Sequence, residues 1–98
     1  MKPAFECDGK VCRISGAATF SSLDDLSVDL LARAGRQQDL KLDLLQMSDC
    51  DSAFAALLMA CLQIKKQQNH TLELLNSPQQ LLSLFEVYGL TESGLQIS

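Results

Sequence analysis

The side chains of this 98-residue chain that can do chemistry are few and scattered. A hydrolase triad needs a base beside its nucleophile, and the single histidine, His70, falls at the mouth of a predicted strand, where such residues are usually structural. The five glycines, Gly9, Gly16, Gly35, Gly89 and Gly94, each stand alone at element ends, so no Gly-rich phosphate cradle forms. Cys7, Cys12, Cys50 and Cys61 include no Cys-x-x-Cys pair, and His70 alone would have to complete a zinc set, so reduced, mostly buried thiols are expected. Asp49 and Asp51 have the spacing of an acid/base or metal pair but lack a third carboxylate or histidine nearby, and capping a helix is their simpler role.

Those two acids open the stretch around which the chain is organised, Ser48-Asp49-Cys50-Asp51-Ser52-Ala53-Phe54-Ala55-Ala56-Leu57-Leu58-Met59. Asp49, Asp51 and Ser52 can each accept from first-turn N–H groups, and acids suit the positive end of a helix, so a helix starts at Ser52. At about 100° per residue, Phe54, Leu57, Leu58 and Cys61 share a core face flanked by Leu62 and Ile64. Opposite lie Ser52, Ala56, Met59, Ala60, Gln63 and Lys66, a strip with charge only at its far end. Such a strip is either covered by another element or kept bare for a partner, and Met59 has the adaptable thioether that suits a partner surface. Ser52 itself is either a cap or a place where a phosphoryl group, beside Asp49 and Asp51, would repel an acidic partner.

The remaining elements can be read around this helix. Phe5–Cys7 and Val11–Ser15 alternate about Asp8-Gly9-Lys10, a hairpin signal. Ser22 with Asp25 resembles a capping box for a helix with Leu23, Leu26 and Leu30 on one face, Arg33 and Arg36 at its negative end and Gly35 stopping it. Leu40 to Leu45 alternates and then becomes wholly apolar, as in a central strand covered on both faces, and Ser48 to Asp51 forms a polar loop. The central helix runs to about Lys66, Gln67 to His70 turn the chain, and Thr71 to Leu75 form another strand. Asn76-Ser77-Pro78 starts a last helix with Leu81, Leu84, Phe85 and Tyr88 on one stripe and a stop at Gly89, and Leu95 to Ile97 can add an edge strand. The fold class is therefore α/β, in the order β-β-α-β-α-β-α: a mixed, mostly parallel sheet of four to five strands covered by helices, with right-handed crossovers, in a single domain spanning 1–98.

Composition removes several functions. Twelve acids against eight bases give a net charge of −4, and no basic cluster exceeds Lys65-Lys66, which argues against nucleic acid and anionic lipid as partners. No apolar run is long enough to span a membrane and no signal-type core follows Met1-Lys2-Pro3, so a cytoplasmic domain without direct membrane insertion is expected. No cofactor or metal site is expected.

Ile14-Ser15-Gly16, Leu42-Asp43-Leu44, Asp51-Ser52-Ala53 opening an Ala/Leu helix, Lys65-Lys66-Gln67 at its end and Leu84-Phe85-Glu86-Val87-Tyr88-Gly89-Leu90 together resemble a STAS domain across nearly the whole chain. The most specific part is the Asp-Ser/Thr-x-Gly loop, matched at Asp51, Ser52 and Ala53, with Phe54 where the family usually has glycine. Within the family the chain resembles the MlaB-like STAS subunits of Mla phospholipid ABC transporters.

The resemblance implies a protein-binding module and not an enzyme. It makes Asp49, Cys50, Asp51, Ser52, Ala56, Met59 and Gln63 the expected partner surface, with Ser52 as phosphoacceptor or partner contact. The expected role is a non-catalytic subunit bound to the MlaF-like ATPase of a transporter that maintains outer-membrane lipid asymmetry, cytoplasmic and peripheral to the inner membrane through its partner. The alternative is an anti-sigma-factor antagonist whose partners are an anti-sigma factor and serine kinase and whose binding is released by phosphorylation of Ser52.

Overall fold

In the computed structural model, residues 3–36, 38–87 and 96–97 are described. Strands β1 (Ala4–Asp8) and β2 (Val11–Ala18) form the antiparallel hairpin, with Asp8 opposite Val11 and Gly9 at φ 64°. Glycine carries that turn because an L side chain at such a φ is strained. A 3-10 turn, Phe20–Ser22, leads into α1 (Asp24–Arg36), whose first turn holds Asp24 and Asp25 and whose last holds Arg33 and Arg36, matching the helix dipole. Ser22 does not cap α1: its hydroxyl donates to the Ala17 carbonyl (2.8 Å) and accepts from the Thr19 N–H (3.1 Å), which binds the 3-10 turn to β2. Gly35 lies inside α1 rather than ending it.

The predicted strand over 40–45 stops at Asp43. After β3 (Leu40–Asp43), the chain turns through Leu44 to Gln46 and resumes as β4 (Met47–Cys50), where a polar loop is predicted. β2 pairs in parallel with both, Cys12 with Leu42 and Ala18 with Cys50, and its register shifts between Gly16 and Ala17. Met47 lies opposite Gly16 and Asp49 opposite Ala17, so Ser48 is the extra residue of a bulge. That insertion breaks the two-residue alternation: Met47 and Cys50 are buried, Ser48 and Asp49 exposed.

Helix α2 (Ser52–Gln67), β5 (Leu72–Leu75), α3 (Gln79–Val87) and β6 (Gln96–Ile97) complete the fold. The sheet runs β1-β2-β3-β5-β6, parallel except for β1. Because each right-handed crossover steps the same way across the sheet, all three helices fall on one face. Burial agrees: Cys12, Ile14, Leu40, Leu42, Leu72 and Leu74 are buried on that side, while Arg13, Lys41 and Glu73 point to the other. The central strand is thus covered on one face, not both, and Leu45 is 69% exposed in the turn that follows it. Phe54, Leu57, Leu58, Cys61 and Leu62 of α2 and Leu81 and Phe85 of α3 fill the core as expected, and Leu84 is half-buried. Tyr88, Gly89 and Leu95, to which further expectations attach, lie outside the described residues.

Two further features were not read in the sequence. Cys7 and Cys12 are disulfide-bonded, since a turn at Gly9 and Lys10 makes them cross-strand partners, whereas Cys50 and Cys61 are buried free thiols. Lys65, on the far end of α2, is wholly buried: its Nζ donates to the Gln38 carbonyl (3.0 Å) and to Gln68 Oε1 (3.1 Å), and burial lowers its pKa. A buried ammonium needs such acceptors because desolvation is otherwise costly.

Lys65→Ala should therefore destabilise the domain by about 2–4 kcal/mol in urea unfolding, and Lys65→Met, which keeps the apolar stem, by less. A second test is acid titration. Asp43 Oδ1 accepts from Asn76 Nδ2 (3.0 Å) and the Leu45 N–H (3.1 Å), and these bonds, Asn76 first, hold its carboxyl below the usual range. A depressed carboxyl stabilises fully above its unfolded pKa of about 4 and loses that contribution as pH falls through the lower folded value. Urea midpoints should place wild type above Asp43→Asn by about 1 kcal/mol or less near neutral pH, given the partial exposure, with the gap closing in strong acid.

Candidate functional site

The site is built where β4 ends and α2 begins. Asp51 takes an extended backbone conformation, and its Oδ1 accepts from the N–H groups of Ala53 (3.0 Å) and Phe54 (3.4 Å). Its Oδ2 accepts from the Phe20 N–H (2.9 Å), so one carboxylate caps α2 and ties the 3-10 turn to it. Of the three predicted cap residues, Asp51 does the work. Asp49 Oδ1 instead accepts from Gln80 Nε2 (3.1 Å), and the same amide nitrogen donates to the Cys50 carbonyl, fastening α3 to β4. Ser52, relieved of capping, is the first helical residue and is exposed.

From Ser52 the outward face of α2 runs through Ala56, Ala60 and Gln63 to Lys66, all exposed, with Met59 half-buried and packed against the core. No other element of the described chain covers these exposed positions. Beside Ser52 a groove opens between α2 and α3, lined by Cys50, Asp51, Ser52, Gln80, Ser83, Leu84 and Val87. Val87 is 78% exposed, and Phe20, on the tied 3-10 turn, 82%. These two apolar side chains were not legible as surface residues in the sequence. Phe20 lies in a short connection without periodicity, and Val87 belongs to a helix whose apolar stripe gives no warning of it.

The structure brings six of the seven predicted contact residues to one surface. The exception is Cys50, whose side chain is only 1% exposed because the bulge turns it into the core. Burial first, then the charges of Asp49 and Asp51, push its thiol up to about 11, so it is a neutral core residue at ordinary pH. His70 stands away from this surface, Nδ1 3.7 Å from Asp39 Oδ1 at the start of β5. Among the described residues no three His, Cys, Asp or Glu side chains gather as a metal site.

A hairpin-led parallel sheet, helices on one face and an exposed serine opening the second crossover helix define a STAS domain. The family model described as "Mlab, STAS domain" matches residues 3–97, and the chain belongs to that family. No curated protein sequence matches it. Among solved structures it is similar to an anti-sigma-factor antagonist (STAS) domain protein from Planctomyces limnophilus, with 16% identity, TM-score 0.77, and 100% of this chain and 91% of that one covered. It is also similar to the anti-sigma factor antagonist SpoIIAA in its unphosphorylated form, at 12% identity and TM-score 0.71 over 98% and 86% of the two chains. The Bacillus cell fate determinant SpoIIAA in its phosphorylated form gives 14% identity and TM-score 0.71 over 98% and 90%. At these identities the likeness is one of fold.

The cap geometry separates Asp51 from Ser52 energetically. Asp51→Ala removes three accepted hydrogen bonds and should cost about 1–2 kcal/mol in thermal or urea unfolding, whereas Ser52→Ala should stay within about 0.5 kcal/mol of wild type.

Proposed function

We propose that this chain is a non-catalytic STAS subunit that grips the ATPase of an Mla-type phospholipid ABC transporter, the machinery that maintains outer-membrane lipid asymmetry. STAS domains mediate protein–protein interactions, and the description of the matching family points to this branch of them. The observation that carries the reading is the outward face of α2, exposed yet uncharged from Ser52 to Gln63 in a chain where one residue in five is charged. A face evolved only for water would carry Lys and Glu; small residues let a partner backbone approach closely. Ser52, Ala56, Met59 and Gln63 form the contact, with Asp49 and Asp51 at its upper rim.

On this reading the domain resides in the cytoplasm, held at the inner membrane through its partner. No helix of the described residues is long and apolar enough to cross a membrane itself.

A second reading rests on a separate observation: Asp51 caps α2, so the Ser52 hydroxyl is exposed and unneeded by the fold. A phosphoryl group there would meet the positive end of α2 but stand beside Asp51, and its charge would disrupt an uncharged interface. In that case the chain is an anti-sigma-factor antagonist regulated at Ser52.

Affinity purification from the native cell, followed by identification of the retained proteins and intact mass, separates the two. An ATPase with integral membrane partners supports the first; a serine kinase with a sigma-factor regulator and stoichiometric phosphate on Ser52 supports the second. Ala56→Arg should weaken ATPase binding by about 2 kcal/mol or more, roughly thirtyfold, with an unchanged melting temperature; Met59→Glu should weaken it likewise in a domain that still folds but melts lower, because Met59 also packs against the core. Normal binding by both variants would show that the surface lies elsewhere.

A further inference from the structure

The hairpin carries chemistry that the α2 surface does not use. Cys7 and Cys12 face each other across β1 and β2, their Cα atoms 3.9 Å apart and their sulfurs bonded. The two ends differ in access. Cys12 is fully buried with Leu42 as its neighbour on β3, while Cys7 is half-buried and lines a groove between β1 and α1. Phe5 and Ala32 give that groove apolar walls, and its charged groups are two guanidiniums, Arg33 and Arg36, against one carboxylate, Asp29.

A structural staple would be the plainer explanation, but little here needs stapling. The cysteines are only five apart in sequence, so the crosslink closes a short loop and removes little chain entropy. The hairpin is already closed by the turn at Gly9, whose carbonyl accepts from Arg33 Nη2 of α1 (3.3 Å). Both strands therefore keep their places when the sulfurs part.

We propose that Cys7–Cys12 is a thiol–disulfide exchange site, entered at the Cys7 sulfur through the β1/α1 groove, and that its reagent is a small thiol bearing carboxylates. The reagent thiolate attacks Cys7 Sγ; a mixed disulfide forms there, the Cys7–Cys12 bond breaks, and the buried Cys12 sulfur takes up a proton as it departs, leaving as the neutral thiol. A second thiol attacks the reagent sulfur of the mixed disulfide and releases Cys7, which is protonated in turn. The protein gains two electrons and two protons, and two reagent thiols become one disulfide. Arg33 and Arg36 attract an anionic reagent and favour the anionic sulfur released beside them. Cys50 and Cys61 stay out of this chemistry, since burial pushes their thiols up to about 11 and about 12 and neutral buried thiols are poor nucleophiles.

The test begins with protein purified without reductant and denatured in iodoacetamide. Intact mass should show two alkylated cysteines, Cys50 and Cys61; four would mean that the pair does not form and would overturn the proposal. On native wild type at matched thiolate concentration, glutathione should open the disulfide about tenfold faster than the cationic thiol cysteamine, and Arg36→Gln should narrow that ratio. Native Cys12→Ser should take up one glutathione from glutathione disulfide, and Cys7→Ser none. Equal rates for the two thiols, or reduction only at denaturant concentrations that unfold the domain, would rule the exchange site out.

Discussion

The fold turns on β2 pairing with two successive segments in two registers. Its first half pairs with β3 and its second with β4, and the offset is absorbed at Gly16, at φ 84°, and at the extra residue Ser48. Gly16 can hold that conformation because it has no Cβ, and its N–H donates to the Gln46 carbonyl (3.2 Å) in the turn that separates the two strands. Beyond the bulge, Cys50 is drawn into the core beside Ala18, which fixes the chain one residue before Asp51. The position of the candidate site therefore follows from a constraint inside the sheet, and only then from its own hydrogen bonds.

What could be read in the sequence follows from which signals are local. The faces of α2 were legible because Phe54, Leu57, Leu58 and Cys61 obey helical spacing and the helix starts at Ser52 as its flanking acids suggest. The hairpin was legible from Asp8-Gly9. β4 was not, since a bulge destroys the alternation by which a strand is recognised. Leu44-Leu45 misled for a related reason: one side chain enters the core, while the other occupies a turn whose N–H is held by Asp43.

Lys65 and the cysteine pair differ in kind. Nothing local marks Lys65 as buried, because its acceptors come from a loop after α1 and from the end of α2. The disulfide, in contrast, had a signal: a two-residue turn at Gly9 and Lys10 places 7 opposite 12 as surely as 8 opposite 11. The absence of a Cys-x-x-Cys pair says nothing about that register, and register is the more direct geometric constraint on which cysteines can meet.

The exposed ridge is a topological consequence as well as a compositional one. Crossovers that all step the same way lay α1, α2 and α3 side by side, and α2, which touches both neighbours, has its inner face on the sheet and its outer face left to solvent. A middle helix in a two-layer fold has no third layer to cover it, so an uncharged outer face cannot be explained by internal packing. Asp51 sharpens the point. By using one oxygen for the helix N-terminus and the other for Phe20, it meets every local demand that Ser52 would otherwise serve. The serine and the exposed small residues below it are thus left without a duty in the described fold, and that is why the proposed partner surface is placed on them.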